Sequence, residues 1–273
     1  MYTLNCKRKF LLIDSPIVMG IINITPDSFY AGSRQQTLDD ILVQAKKMLA
    51  EGAAILDVGG QSTRPGSEQV GAEEELRRVL PAISAIHRQF PKTIISIDTY
   101  HATVAKAAVE AGAGMVNDVS GGLLDAQMLQ TVAALKVPYI CMHMQGTPTT
   151  MHLKPAYEDV TKEVLDFFIE RIDTCRRAGI ADVIIDPGFG FGKTIEHNFI
   201  LLKNLSVFKI LGKPILLGIS RKSSIYKTLD VTAAEALNGT TVLNTIGLTN
   251  GANILRVHDV KEAVEAIKLT DLL

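Results

Sequence analysis

Asp98 in SIDT, Asn117 in VNDV, Asp186 in IIDPG, Lys222 in SRKS, and Arg256 with His258 in LRVHD each stand at the end of a short apolar run. Their types point to recognition rather than to covalent catalysis. Asp and Asn accept hydrogen bonds from ring and amino N–H groups, and burying three of them costs several kcal/mol unless donors arrive. A nitrogen heterocycle would bring such donors. Arg256 and His258 alternate with Leu255 and Val257, so they project to one side of a strand. With Asn23 from the first strand they suit an anion, and the competing reading pairs Arg256 structurally with one of the acids. Lys222 could be a Schiff-base nucleophile, but such a lysine needs an apolar, desolvated setting, and Lys222 lies beyond Ser220 and Arg221. For a single strand-end aspartate the simpler reading is a helix N-cap or a satisfied core carboxylate, and Asp57 is placed in that class.

The stretch DPGFGFGKT, from Asp186 to Thr194, ends like a nucleotide-binding loop. That loop needs four residues between its first glycine and its Gly-Lys pair, whereas three separate Gly188 from Gly192 here. Pro187 stands where that first glycine belongs and has no N–H to offer a phosphate. The sequence therefore gives no ATP site here.

The same residues imply the elements that must hold them. Apolar runs at Ile17–Ile22, Ala54–Val58, Ile94–Ile97, Met115–Val116, Tyr139–Met142, Val183–Ile185, Ile215–Ile219 and Ile254–Val257 read as strands buried on both faces. Helical stretches alternate with them. Thr37 reads as the N-cap of LDDILVQAKKMLAE and Gly52 as its stop, while AEEELRRVLPAISAIHRQF and YEDVTKEVLDFFIERIDTCRRAG carry acids early and bases late. Eight βα units in 273 residues predict a TIM (β/α)8 barrel of eight parallel strands, read as one domain over 1–273. A barrel gathers all the polar strand ends at one mouth, whereas an open sheet would spread them along an edge.

A net charge of −1 gives no reason to expect a nucleic-acid or membrane partner, so small molecules are the expected partners. Cys6, Cys141 and Cys175 show neither zinc-ligand spacing nor a pairing framework, which fits a reducing cytosol. No apolar run approaches the ~20 residues of a membrane helix, so the expected location is cytoplasmic. GGQSTRPG (Gly59–Gly66) and NITPDSFYAGSR (Asn23–Arg34) read as flap loops on adjacent strands.

In order along the chain, NITPDSF, GGQSTRPG, IDT, NDVSG, MHMQGTP, DPGFGFGK, GISRKS and RVHDV resemble the motifs of the dihydropteroate synthase family. The resemblance covers essentially the whole chain. It implies a TIM barrel joining (7,8-dihydropterin-6-yl)methyl diphosphate to 4-aminobenzoate, with Mg²⁺ as cofactor and a homodimer as the usual assembly. It assigns the pterin to Asp98, Asn117, Asp186, Lys222 and Arg256. The diphosphate falls to Asn23, Thr63, Arg256 and His258, with Asn23 also toward the metal. Thr63, Arg64, Pro65, Phe191 and Ser220 take the aminobenzoate. Asp98, Lys222, Arg256 and Asp27 carry the catalytic work. Two departures stand out: Ala31 replaces the second acid of the first flap, leaving Asp27 alone, and Gln61 stands where many relatives carry Glu. The alternatives are a pterin-dependent corrinoid methyltransferase on the same barrel and a catalytically inactive pterin-binding relative.

Overall fold

The computed structural model describes residues 1–7, 9–24, 38–61, 70–147, 150–151 and 155–273. The chain opens with an antiparallel hairpin of β1 (Tyr2–Cys6) and β2 (Lys9–Ile13). Strands and helices then alternate: β3 (Ile17–Asn23), α1 (Leu38–Glu51), β4 (Ile55–Gly59), α2 (Ala72–Gln89), β5 (Ile94–Asp98), α3 (Ala102–Glu110) and β6 (Met115–Asp118). The second half runs α4 (Met128–Leu135), β7 (Tyr139–Met142), α5 (Val160–Ala178), β8 (Val183–Asp186), α6 (Ile195–Lys203), β9 (Leu216–Leu217), α7 (Ser223–Leu229), α8 (Leu237–Thr249), β10 (Ile254–Val257) and α9 (Val260–Thr270). The sheet order β8-β7-β6-β5-β4-β3-β10-β9 is parallel throughout. A bridge between Ile185 and Ile215, with the Ile185 N–H donating to the Pro214 carbonyl at 3.0 Å, joins its two edges into a barrel. Among the described residues no helix is long and apolar enough to cross a membrane.

Each predicted strand is present, although Ile215–Ile219 contributes only the two residues of β9 and the isolated bridge. Helix signals act as the sequence suggests. Asp159 caps α5 by accepting from the N–H groups of Thr161 and Lys162, and Gly179 ends it in the left-handed region at φ 93°. Gly52, at φ 106°, follows α1. The Thr37 cap lies outside the described residues.

Alternation along the strands divides the apolar residues into two cores. Outward residues such as Leu56, Val58, Ile95, Ile97, Tyr139 and Leu255 pack against the ring of helices. Inward residues at the strand starts, Met19, Ile55, Ile94, Met115, Ile140, Ile184, Leu216 and Ile254, fill the base of the barrel. The N-terminal hairpin, absent from the sequence reading, closes that base with Leu4, Cys6, Leu11 and Ile13. Its strands alternate exposed and buried residues, as a two-stranded sheet with one wet face requires. Lys7 and Lys9 fasten it by donating to the carbonyls of Val109 and Thr93.

The apolar base bears on stability and leaves the polar end to do chemistry. Ile55, fully buried there, should cost about 2–5 kcal/mol when changed to Ala. Urea unfolding would measure this; a cost below about 1 kcal/mol would mean that the base of the barrel repacks around the missing side chain.

Candidate active site

Two residues up several of the strands the inward positions become polar. Asp57, Ser96, Asn117 and Arg256 follow Ile55, Ile94, Met115 and Ile254 on the same faces, and Asn23, Asp98, Asp186 and His258 follow at the mouth. The strand register therefore delivers these groups to one place, with no long-range adjustment of loops.

Arg256 organises the centre. Its Nε donates to Asp57 Oδ2 at 2.6 Å and one Nη to Asp98 Oδ2 at 2.6 Å. Asn117 Nδ2 donates to the same Asp57 oxygen at 3.0 Å, and Asp57 Oδ1 is buried with no partner among the described residues. Asp57, set apart by sequence reasoning as a helix cap or satisfied core carboxylate, thus stands within the cluster. Its shared face with Ile55 and Gly59 was the signal that could have placed it there. Burial pushes the Asp98 carboxyl up to about 7, with the Arg256 guanidinium opposing the rise.

Asp186 lies on the other side of the mouth. Its Oδ1 accepts the Gly188 N–H at 2.8 Å; burial raises its affinity for a proton, while nearby Lys222 works against that. Gly218 lies beside both groups: a Cβ there would stand 3.6 Å from Asp186 Oδ2 and 3.8 Å from Lys222 Nζ, in ordinary contact. Lys222 donates to the Phe189 carbonyl and lies 4.5 Å from the centre of the Phe191 ring. Burial lowers its ammonium to about 8, although Asp186 holds the charge in place. Phe191 packs beside Val119, Met142 and Met151, forming an apolar wall of the mouth.

On the adjoining strands, Ser220 Oγ and His258 Nδ1 are 3.0 Å apart, and the His258 N–H donates to the same hydroxyl at 3.2 Å. Ser220 therefore orients the imidazole. Half-buried Asn23 ends β3 at the mouth. Thr63, Arg64, Pro65, Asp27 and Ala31 lie outside the described residues.

Other strand-end groups turn elsewhere. Arg221 forms a two-pronged ion pair with Asp259 at 2.7 and 2.8 Å. Asp118 accepts from Ser120 Oγ, Tyr139 Oη and the N–H groups of Ser120 and Gly122, all within 2.7–2.8 Å. His143 and Lys193 meet each other at 2.9 Å, and Lys193 also donates to the Gly188 and Phe191 carbonyls at 3.0 Å. Lys193 is thus a tether inside DPGFGFGKT, and Thr194 caps α6 through the His197 N–H. Gly188, Gly190 and Gly192 all have positive φ, and a Cβ at Gly188 would stand 1.8 Å from the His143 carbonyl oxygen. These glycines serve a tight fold-back beside Asp186 rather than a phosphate cradle.

A sequence model described as "Pterin binding enzyme" matches residues 19–258. The chain belongs to the dihydropteroate synthase family of pterin-binding enzymes. It is 44% identical over 261 residues to the dihydropteroate synthase of Escherichia coli (strain K12), covering 95% of this chain and 92% of that one. The dihydropteroate synthase of Haemophilus influenzae is 42% identical, with 97% of each chain covered. Among solved structures, Yersinia pestis dihydropteroate synthase in complex with a sulfonamide drug superposes with a TM-score of 0.94 at 40% identity, over 99% of this chain and 98% of that one. Xanthomonas albilineans dihydropteroate synthase in complex with 7,8-dihydropteroate gives 0.90 at 39% identity over the same shares.

Gly188 offers a direct check on how the loop presents Asp186. Gly188→Ala combines a left-handed backbone with a collision against main chain, so we expect a loss of about 3 kcal/mol or more in urea unfolding. A loss below about 1 kcal/mol would mean the loop can rearrange without this geometry.

Proposed function

We propose that the protein condenses (7,8-dihydropterin-6-yl)methyl diphosphate with 4-aminobenzoate, giving 7,8-dihydropteroate and diphosphate. The observation that carries this reading is the ring formed by Asp98, Asn117 and Asp186 with Lys222 and Arg256 at one barrel mouth. Acceptors on two sides of a slot suit the amino and ring N–H groups of a pterin, and Lys222 suits its carbonyl edge. The relatives named above supply the reaction. One domain over 1–273 is the matching organisation, since the closed sheet draws strands from Ile17 through Val257.

The chemistry follows from where charge appears. The pterin methylene C–O bond breaks ahead of attack, and positive charge on the methylene is met by the Asp98 carboxylate. The departing diphosphate gains negative charge and is received by Arg256, His258 and Asn23. The aniline nitrogen then bonds to the methylene carbon, and its proton passes to the departing diphosphate. Thr63, Arg64, Pro65, Phe191 and Ser220 position the aminobenzoate, and Asp27 works alone in its segment. Phe191 contributes a flat apolar wall, and Ser220 acts through His258 on the diphosphate side as well.

Mg²⁺ fits this reading in a limited way. Among the described residues no three His, Cys, Asp or Glu side chains gather as a metal group. Magnesium is commonly held by few protein oxygens together with water and substrate phosphates, and here the Asn23 amide oxygen would join the diphosphate oxygens around it. When bound, the ion would offset charge on the leaving group.

A homodimer is supported by apolar side chains on two packed helices. Phe199 and Ile200 of α6, with Val242 and Ile246 of α8, are 37–50% exposed. Light scattering on the purified chain tests it, with twice the chain mass expected.

Diphosphate release in the presence of both substrates tests the reaction, and no release with either alone is expected. For the pterin grip, Asp186→Asn places a donor against donors and should weaken binding by about 2–4 kcal/mol in calorimetry. The proton equilibria give a further test. Asp98 becomes the anion that binds N–H groups as pH rises through about 7, and Lys222 loses its charge as pH rises through about 8. Pterin affinity should therefore peak between these values, and Lys222→Met should abolish the alkaline fall while leaving the acid limb.

A further inference from the structure

Glu75, in the first turn of α2, is a buried carboxyl that the pterin pocket does not use. It is 1% exposed; Oε2 accepts the Thr99 hydroxyl at 3.0 Å, and Oε1 is buried with no partner among the described residues. Thr99 directly follows Asp98 and points to the opposite face. Its N–H donates to the Asn117 carbonyl at 2.9 Å, and its hydroxyl oxygen accepts the His101 N–H at 3.1 Å. Whatever fixes Thr99 therefore fixes the backbone of Asp98 and its ladder to Asn117.

The same side chain lies against the exit from β4. A Cβ built on Gly60 would stand 3.0 Å from Glu75 Cγ and 2.8 Å from Val79 Cγ1, so only glycine lets the strand end settle onto α2. Arg78, one turn along, donates to the Gly60 carbonyl at 3.0 Å. Gln61, next in the chain, bonds the Tyr100 hydroxyl through its side chain, and its Oε1 is buried with no partner among the described residues.

We propose that Glu75 is a positioning residue for the pterin: through Thr99 it sets Asp98, and at Gly60 it holds the exit from β4 against α2. The proposal rests on the reaction assigned above. Burial raises the Glu75 carboxyl to about 8, against the Thr99 hydrogen bond; Asp98 adds to the rise and Arg78 opposes it, with Tyr100 the other titratable neighbour. At neutral pH the side chain is then a carboxylic acid that still accepts from Thr99, and no charge is left on the buried oxygen that has no partner among the described residues. Its folded value lies above the ordinary 4.5, so the stability it confers is complete below pH 4.5 and is lost as pH rises through about 8.

The test compares wild type, Glu75→Gln, Glu75→Ala and Thr99→Val by steady-state kinetics in both substrates and by urea unfolding from pH 4.5 to 9. An amide mimics the neutral acid, so Glu75→Gln at pH 7 should keep both KM values within about threefold of wild type. Glu75→Ala and Thr99→Val should raise the pterin diphosphate KM about tenfold with kcat within about threefold, as lost positioning of a binding group requires. Should Glu75→Ala fail to fold, Thr99→Val carries that comparison. Lys222 titrates in wild type and Glu75→Gln alike, so it cancels in their stability difference, which should shift in favour of Glu75→Gln as pH climbs to about 8. Parallel stability curves, or wild-type KM values in Thr99→Val, would overturn the role of Glu75. A wild-type protein that forms no dihydropteroate would overturn the assigned reaction instead, and the unfolding comparison would still decide the Glu75 carboxyl.

Discussion

Charge placed inside a barrel must be compensated before any ligand arrives, and that requirement governs the mouth of this protein. Asp57 is fully buried, and its partner Arg256 reaches both Asp57 and Asp98. A buried ion pair stabilises little by itself, but removing one member leaves the other stranded, at a cost of about 3–5 kcal/mol. The pair is therefore a device for holding geometry. With Arg256 fixed from below by Asp57, the guanidinium stays against the ring site, and Asp98 can exchange part of its bond to Arg256 for a ligand N–H without leaving either charge unpaired.

That arrangement depends on a division of labour along the strands. The lower inward layer is wholly apolar and is closed by the β1–β2 hairpin, so the burial of Met19, Ile55, Ile140 and their neighbours can offset the cost of the polar layers above. Outside, the helices pack against the other face of the barrel strands. Glycine then makes room where the chain must fold back: Gly188 brings its N–H to Asp186 where a Cβ would collide with the His143 carbonyl. Catalysis of the assigned reaction asks mainly for a held pterin and a received diphosphate, and a rigid mouth of this kind supplies both.

Much of this was legible in the sequence because parallel strands write themselves as apolar runs and a barrel places their ends together. Asp98, Asn117, Asp186, Lys222, Arg256 and His258 could be picked out by position alone. Asp57, read as a cap or a core carboxylate, is indeed a buried carboxylate paired with Arg256 and Asn117; only the alternation that puts it inward with Ile55 separates it from Asp118, which turns outward to Tyr139. The competing reading, in which Arg256 pairs with an acid, is what the structure shows, twice over. The hairpin plug carries only five-residue strands with one buried face, too short a pattern to stand out beside the barrel runs. Lys193 and Glu75 were invisible for another reason: their partners are backbone carbonyls or a threonine far away in the chain.

The central claim is that Asp57 and Arg256 act as one unit holding the pocket, and a double-mutant cycle on stability tests it most directly. Urea unfolding of wild type, Asp57→Asn, Arg256→Met and the double variant would give the coupling. The account predicts that the single variants are each strongly destabilised and that the double variant is less destabilised than their sum by about 1.5 kcal/mol or more, because removing both groups leaves no stranded charge. Effects that add to within about 0.5 kcal/mol would show that the two residues are held independently, and would contradict it.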